Sequence, residues 1–144
     1  MQKTKFYKRY YILFLAFLFS CSLNFVGATE LKNIEFKLEK EKIKKGEKIC
    51  FSIENNSNDI IYLPSTAPWV IIDAKTQKIV YSPIASQMIV KLKPKQSKKW
   101  CWNQKDFEGN EVPIGTYQIR ITIFTKEGKR KFLSFPVVIN PEYK

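Results

Sequence analysis

The residues that this chain lacks limit the chemistry that it can perform. It contains no histidine, and its five glycines are widely separated, at positions 27, 46, 109, 115 and 128. Catalytic triads and the common zinc and copper sites use histidine, and a phosphate-binding loop uses clustered glycines. The sequence therefore predicts a protein that is not an enzyme and that uses no cofactor and no metal ion.

Carboxylates gather at one place, where Asp106, Glu108 and Glu111 follow Lys105. Two acids can hydrolyse a glycosidic bond, and oxygen ligands on a loop can hold calcium. The spacing matches no known calcium-binding loop, and a lysine adjoins the acids. We therefore interpret this segment as a hydrated surface loop, in which Asp106 contributes little to stability.

Two cysteines, Cys50 and Cys101, lie within segments that alternate apolar and polar residues, 48–54 and 97–102. Alternation should turn their apolar neighbours inward and both cysteines outward. The second and fifth strands of a sandwich lie side by side in one sheet. We therefore predict a Cys50–Cys101 disulfide between adjacent strands of one sheet, unlike the bridge that crosses the core of antibody domains. An even pair in an oxidising compartment favours this prediction.

Short apolar or alternating runs, separated by turn residues, indicate an all-β domain. The predicted strands are 34–38, 48–54, 60–63, 69–72, 78–81, 88–92, 97–102, 116–125 and 131–139. Met88, Val90 and Leu92 are expected on one face of their strand. This number and spacing of strands are typical of an immunoglobulin-like sandwich of two antiparallel sheets with about eight strands.

The chain opens with the pattern of a secretory signal. Its positive region contains Lys3, Lys5, Lys8 and Arg9. An apolar run at 10–19 follows, and Val26, Gly27 and Ala28 offer small residues for cleavage. We predict a signal peptide at 1–28, a single domain at 29–144, and export to the periplasm or the extracellular space.

Two alternatives remain open for this segment. Leu18, Phe19 and Ser20 precede Cys21, which could carry a lipid. The apolar stretch could also stay uncleaved as a membrane anchor. In either case the membrane would be contacted only through the signal segment or through a lipid on Cys21.

The formal net charge is +12, and four of the basic residues belong to the signal segment. Lysine spread over polar strand faces and turns mainly serves solvation and edge protection. No patch is expected to pair basic residues with aromatic rings on which bases could stack, and nucleic acid is therefore not a predicted partner. Attraction to anionic polymers of the envelope is the alternative.

Three pieces in order resemble the BsuPI family, which is named for an intracellular proteinase inhibitor of Bacillus. The pieces comprise Lys45, Gly46, Glu47, Asn55 and Asn56, then Pro94, Lys95, Gln96, Ser97, Trp102, Asn103 and Gln104, then Gly109, Val112, Pro113, Ile114, Gly115, Thr116 and Tyr117. Trp102 should fill the core, and Gly115 should permit a tight turn. Tyr117 resembles a tyrosine corner, whose hydroxyl ties a turn while its ring packs inside. The resemblance implies an immunoglobulin-like sandwich and inhibition of serine proteases.

The sequence thus favours a non-catalytic domain that binds another protein, with a serine protease as the partner that the resemblance implies. The loops expected to bind are 64–68, with Trp69 behind it, and 104–114, which carries Phe107 and Glu108. Trp69 would be an anchor if it is exposed, whereas a tryptophan on a strand usually fills the core. Phe107 could likewise fold back against the end of the sandwich. The alternative is a structural or accessory domain of a cell-envelope assembly, which would accept a partner's strand at an unpaired edge.

Overall fold

The structure, a computed structural model, describes residues 32–141. The predicted signal peptide, its cleavage after Ala28 and the candidate lipid site at Cys21 lie outside the described residues. Within the described range, no helix has the length and hydropathy needed to cross a membrane.

Ten strands follow one another along the described chain. They are β1 (Ile34–Leu38), β2 (Ile43–Lys44), β3 (Ile49–Asn55), β4 (Ile61–Leu63), β5 (Trp69–Asp73), β6 (Ile79–Tyr81), β7 (Val90–Leu92), β8 (Ser97–Trp102), β9 (Gly115–Phe124) and β10 (Arg130–Asn140).

The strands form two sheets. The smaller sheet has the order β1-β3-β8, and both of its pairings are antiparallel. In the larger sheet β9 is central: β10 pairs with one edge, and β4 and β5 share the other. β7 extends the sheet beyond β4, and β6 extends it beyond β5. The protein is an immunoglobulin-like β-sandwich, which confirms the predicted fold class.

Alternation along the strands places the core between the two sheets. In β9 the inward residues Tyr117, Ile119, Ile121 and Ile123 are all buried. Phe51 of β3 packs edge-to-face against Trp69 of β5, with ring centroids 5.2 Å apart. One side of the sandwich is closed by the stacked rings of Phe36 and Phe135, on the edge strands β1 and β10.

Two details differ from the sequence-based expectations. Strand β2 was not predicted, because two residues are too few to show alternation, and it pairs in parallel with the end of β10. Met88 does not share a strand with Val90 and Leu92: β7 begins at Val90, and Met88 is 58% exposed. The partner strand β4 has only three residues, so regular pairing stops before Met88 is reached.

Candidate protein-binding loop

The disulfide predicted from the cysteine pattern is confirmed. Cys50 and Cys101 face each other across β3 and β8, with 4.0 Å between their Cα atoms. Cys101 is exposed and Cys50 is partly exposed, so the bond lies on the outer face of the smaller sheet. The bond connects β3, which follows the β2–β3 turn, to β8, which leads into residues 104–114.

Residues 104–114, hereafter the candidate loop, connect β8 to β9. The buried side chain of Gln104 ties the start of this loop to the β2–β3 turn. Its amide nitrogen donates to the Lys44 carbonyl at 2.7 Å, and its amide oxygen accepts the Gly46 N–H at 3.0 Å. The Val112 N–H closes the base by donating to the Gln104 carbonyl at 2.9 Å.

The tip of the candidate loop is a hydrogen-bonded turn. Lys105 and Glu111 form an antiparallel bridge below it. One carboxylate oxygen of Asp106 accepts the N–H groups of Glu108 and Asn110, both at 2.9 Å. The segment is an exposed surface loop, as expected. Asp106 in addition organises its turn, a role that the sequence analysis did not assign to it, although Asp commonly accepts hydrogen bonds from the backbone two residues further on.

Phe107 and Glu108 occupy the two central positions of this turn, which the Gly109 N–H closes onto the Asp106 carbonyl at 3.2 Å. The Phe107 side chain is 63% exposed, and Glu108 is also exposed. Phe107 is nevertheless fixed on one side. Its N–H donates to the Val80 carbonyl of β6 at 3.2 Å, and its ring centroid lies 6.2 Å from that of Tyr81.

The end of the candidate loop is fixed by Tyr117. Its hydroxyl donates to the Pro113 carbonyl at 2.8 Å, and its ring is buried in the core, which is the arrangement expected of a tyrosine corner. Burial raises the pKa of the Tyr117 hydroxyl above its usual value, and the Asp73 carboxylate raises this pKa further. Gly115, at the start of β9, has φ of +148°, a backbone conformation that favours glycine.

The second loop expected to bind, 64–68, lies in front of a tryptophan that is buried. Trp69 is only 4% exposed and packs against Phe51 and Tyr81, so it cannot be an exposed anchor. The phase of β5 points its side chain into the core. Residues 64–68 are packed as well, since Ser65 and Pro68 are buried. The Thr66 carbonyl there accepts the indole N–H of Trp100 at 2.8 Å.

Sequence reasoning missed the role of two buried amides, Gln104 and Asn55. Asn55 ends β3, and its side-chain amide donates to the carbonyls of Asp59 and Leu92, each at 2.9 Å. Its oxygen accepts the Ser57 N–H at 3.0 Å. Both residues stand where a strand gives way to a turn, and a buried amide at such a point joins backbones that are distant in sequence.

Two pairs of basic residues and rings were not expected from the sequence. The Arg120 guanidinium lies over the Phe132 ring, and that of Arg130 lies over the Phe124 ring. The pairs join different strands, β9 and β10, so the sequence does not show them as a run. Within residues 32–141, no cluster of three or more Cys, Asp or Glu could hold a metal ion.

No protein-family model matches the chain, so the resemblance to the BsuPI family is not confirmed. No curated protein matches it either. Similar solved structures include structural genomics target SoR45, with 17% identity, a TM-score of 0.42, and coverage of 74% of this chain and 87% of that one. The PmoD soluble domain from Methylocystis is 9% identical, with a TM-score of 0.43, and the match covers 74% of this chain and 90% of that one. The ASH / PapD-like domain of human CEP192 is 13% identical, with a TM-score of 0.35, and the match covers 77% of this chain and 87% of that one. None of these similarities carries information about function.

Proposed function

We propose that this domain is a non-catalytic, exported protein-binding module that contacts its partner through the tip of the candidate loop. The observation that carries the proposal is the exposed Phe107 side chain on a turn whose backbone is hydrogen-bonded on both sides. Aromatic residues are common anchors in interfaces. A loop that is already ordered loses little conformational entropy when it binds.

Two properties of the chain support the other parts of this proposal. Without histidine or a glycine-rich phosphate loop, the sequence offers few groups that could drive a reaction. The Cys50–Cys101 disulfide is typical of proteins that work in an oxidising compartment, as an exported protein does.

A serine protease is the first partner to test, because of the family that the sequence resembles. The geometry narrows the choice of protease. Phe107 is a large apolar side chain, which suits a hydrophobic specificity pocket, whereas the pocket of trypsin contains a carboxylate and takes a basic side chain. Phe107 also stands on a turn, so it would enter the pocket as a single projecting side chain and not as part of an extended strand.

The test is a titration of subtilisin-like, chymotrypsin-like and trypsin-like proteases with the native domain and two variants. Phe107→Ala removes the proposed anchor. Ile89→Ala is the matched control, because Ile89 is an apolar residue that is 64% exposed and lies outside the candidate loop. Inhibition of an apolar-pocket protease at micromolar concentration should be lost in Phe107→Ala and kept in Ile89→Ala. If no protease is inhibited at that concentration, the proposal that the domain inhibits proteases is wrong, and only the proposal that it binds another protein stands.

The alternative is a structural domain that accepts a partner's strand. Among the described strands, β1, β2, β6, β7 and β8 each pair on one side only, so their other edges could in principle accept a strand. However, β1, β2, β7 and β8 carry lysine, which discourages such pairing on an edge strand. β6 has only three residues, and its Val80 carbonyl already accepts the Phe107 N–H. The candidate loop is therefore the better supported contact.

A further inference from the structure

The larger sheet has a distinctive outer face. Three residues of the chain are arginine, and the two that belong to the described range, Arg120 and Arg130, both lie on this face. The guanidinium carbon of Arg120 lies 5.3 Å from the centroid of the Phe132 ring, and that of Arg130 lies 5.8 Å from the centroid of Phe124. We call these four residues the arginine face.

The strand positions that surround the arginine face carry no negative charge, and the acid nearest to it along the chain is Glu127 in the β9–β10 turn. The outward positions of β9 and β10 contain neither Asp nor Glu: they are Thr116, Gln118, Arg120, Thr122, Phe124, Arg130, Phe132, Ser134, Pro136 and Val138. Tyr62 of β4, opposite Phe124, and Lys91 of β7, opposite Tyr62, continue the face. None of the ion pairs formed within residues 32–141 includes Arg120 or Arg130.

We infer that the arginine face is a second binding surface, separate from the candidate loop, which takes a carboxylate-bearing strand of another protein. Arginine and aromatic residues are enriched in protein interfaces, whereas lysine is depleted there. When a guanidinium lies over a ring, the ring restricts its position and leaves its N–H groups free. Those N–H groups can then donate two parallel hydrogen bonds to one carboxylate. Two unpaired cations on a face without acids therefore fit an acidic partner.

The strand register sets the spacing of the carboxylates. Arg120 stands opposite Ser134, and Arg130 stands opposite Phe124, four residues further along β9. At roughly 3.3 Å per residue, the Cα atoms of the two arginines are about 13 Å apart along the strand direction. Residues i and i+4 of an extended partner segment are separated by the same length, and their side chains lie on the same side. Two acids at that spacing can meet both arginines.

Other occupants fit the arginine face less well. Nucleic acid would need ring faces on which bases could stack, and each Phe ring already has a guanidinium over one of its faces. The exposed Pro136 and Val138, further along the same side of β10, favour the apolar side chains of a protein. A second copy of this chain would bring cations against cations, which opposes self-association through this face.

The test uses a cyclised β-hairpin peptide as a probe, with two glutamates four residues apart on one face. A control peptide of the same composition has its glutamates three residues apart, on opposite faces. The native domain should bind the first peptide about tenfold more tightly than the second, as measured by fluorescence anisotropy at fixed salt. Equal binding of both peptides, or no binding of either at millimolar concentration, would overturn the inference.

Variants of the domain separate the arginine face from general positive charge. The double change Arg120→Lys and Arg130→Lys keeps the positive charge but removes the planar guanidinium group, which can donate two hydrogen bonds to one carboxylate. This variant should bind the first peptide about tenfold more weakly. The double change Lys98→Gln and Lys99→Gln on the smaller sheet removes two charges and should have a smaller effect. Phe107→Ala should leave the affinity for both peptides unchanged, so this experiment tests the arginine face independently of the candidate loop.

If the lysine variant does not fold, the comparison of the two peptides on the native domain decides whether the inference holds. A single-stranded oligonucleotide that binds more tightly than the peptide, and that loses affinity in the lysine variant, would also overturn the inference.

Discussion

The rings of Trp102 and Tyr117 pack edge to face beneath the candidate loop, with centroids 5.7 Å apart. Each donates one hydrogen bond of 2.8 Å to a main-chain carbonyl of that loop, Trp102 to Lys105 and Tyr117 to Pro113. One aromatic pair in the core therefore holds both ends of the segment that presents Phe107. The core of the domain is therefore hydrogen-bonded directly to the loop that forms the proposed binding site.

The Tyr117→Phe variant tests the hydrogen bond between Tyr117 and the candidate loop, because it removes the hydroxyl and keeps the ring. We expect a loss of about 1 kcal/mol at neutral pH, the usual contribution of one hydrogen bond. Since the pKa of Tyr117 is raised in the folded state, its contribution to stability is complete below about pH 10 and falls as the pH rises from there through the raised pKa.

The measurement is urea denaturation of both proteins between pH 7 and pH 11. The other tyrosines and the lysines are common to both, so the difference between the proteins isolates Tyr117. We expect this difference to shrink above pH 10. A difference that stays constant up to pH 11 would contradict the proposed role of the hydroxyl.

The disulfide should contribute strongly to stability. On the chain-entropy model, closing the 51-residue separation between Cys50 and Cys101 contributes about 4 kcal/mol. We expect the Cys50→Ala, Cys101→Ala double variant to lose much of this, as measured by chemical denaturation without reductant. Peptide mapping of the native protein is the control, and two freely alkylated thiols there would refute the pairing.

The Asp106→Ala variant should destabilise the candidate loop, because two backbone N–H groups lose their acceptor. We expect a cost of about 1–2 kcal/mol, comparable with the loss of a helix cap. Glu108→Ala is the matched control on the same turn, where an exposed side chain should change stability by less than about 0.5 kcal/mol. Thermal melts that rank the two variants equally would show that Asp106 does not organise the turn.

The Gly115→Ala and Gly115→Val variants test whether backbone conformation matters where β9 begins. An added Cβ would meet no atom within 4 Å, so any cost must come from the positive φ. We expect both variants to lose about 1–3 kcal/mol by thermal denaturation. Thr116→Val, at the next position and exposed, should stay within about 0.5 kcal/mol. Little loss in either glycine variant would mean that the turn relaxes.

Local periodicity was enough to predict most of the fold. The alternation of Tyr117, Ile119, Ile121 and Ile123 specifies the buried face of β9. The same rule placed both cysteines on an outer face, and an assumed neighbour relation then gave their pairing. Side-chain direction along a strand is set by the strand itself, so it can be read without knowing the partner strand.

Features that depend on distant contacts were not predictable in this way. The sequence left open whether Trp69 is an exposed anchor or a core residue, and only the packing of Phe51 and Tyr81 against it shows that it is buried. The arginine face forms only when β9 and β10 align in register. Asp106 acquires its role only when the turn brings the Glu108 and Asn110 N–H groups to its carboxylate.

The proposal that Phe107 is the contact point is tested most directly by photo-crosslinking from position 107. A photoreactive phenylalanine there is compared with one at Lys95, which is exposed in the turn at the opposite end of β8. In an extract of exported proteins, position 107 should give a discrete adduct and position 95 should not. Excess native domain should abolish that adduct, whereas excess Phe107→Ala domain should leave it intact. Competition of equal strength by the Phe107→Ala domain, or an adduct from position 95 alone, would contradict the proposal.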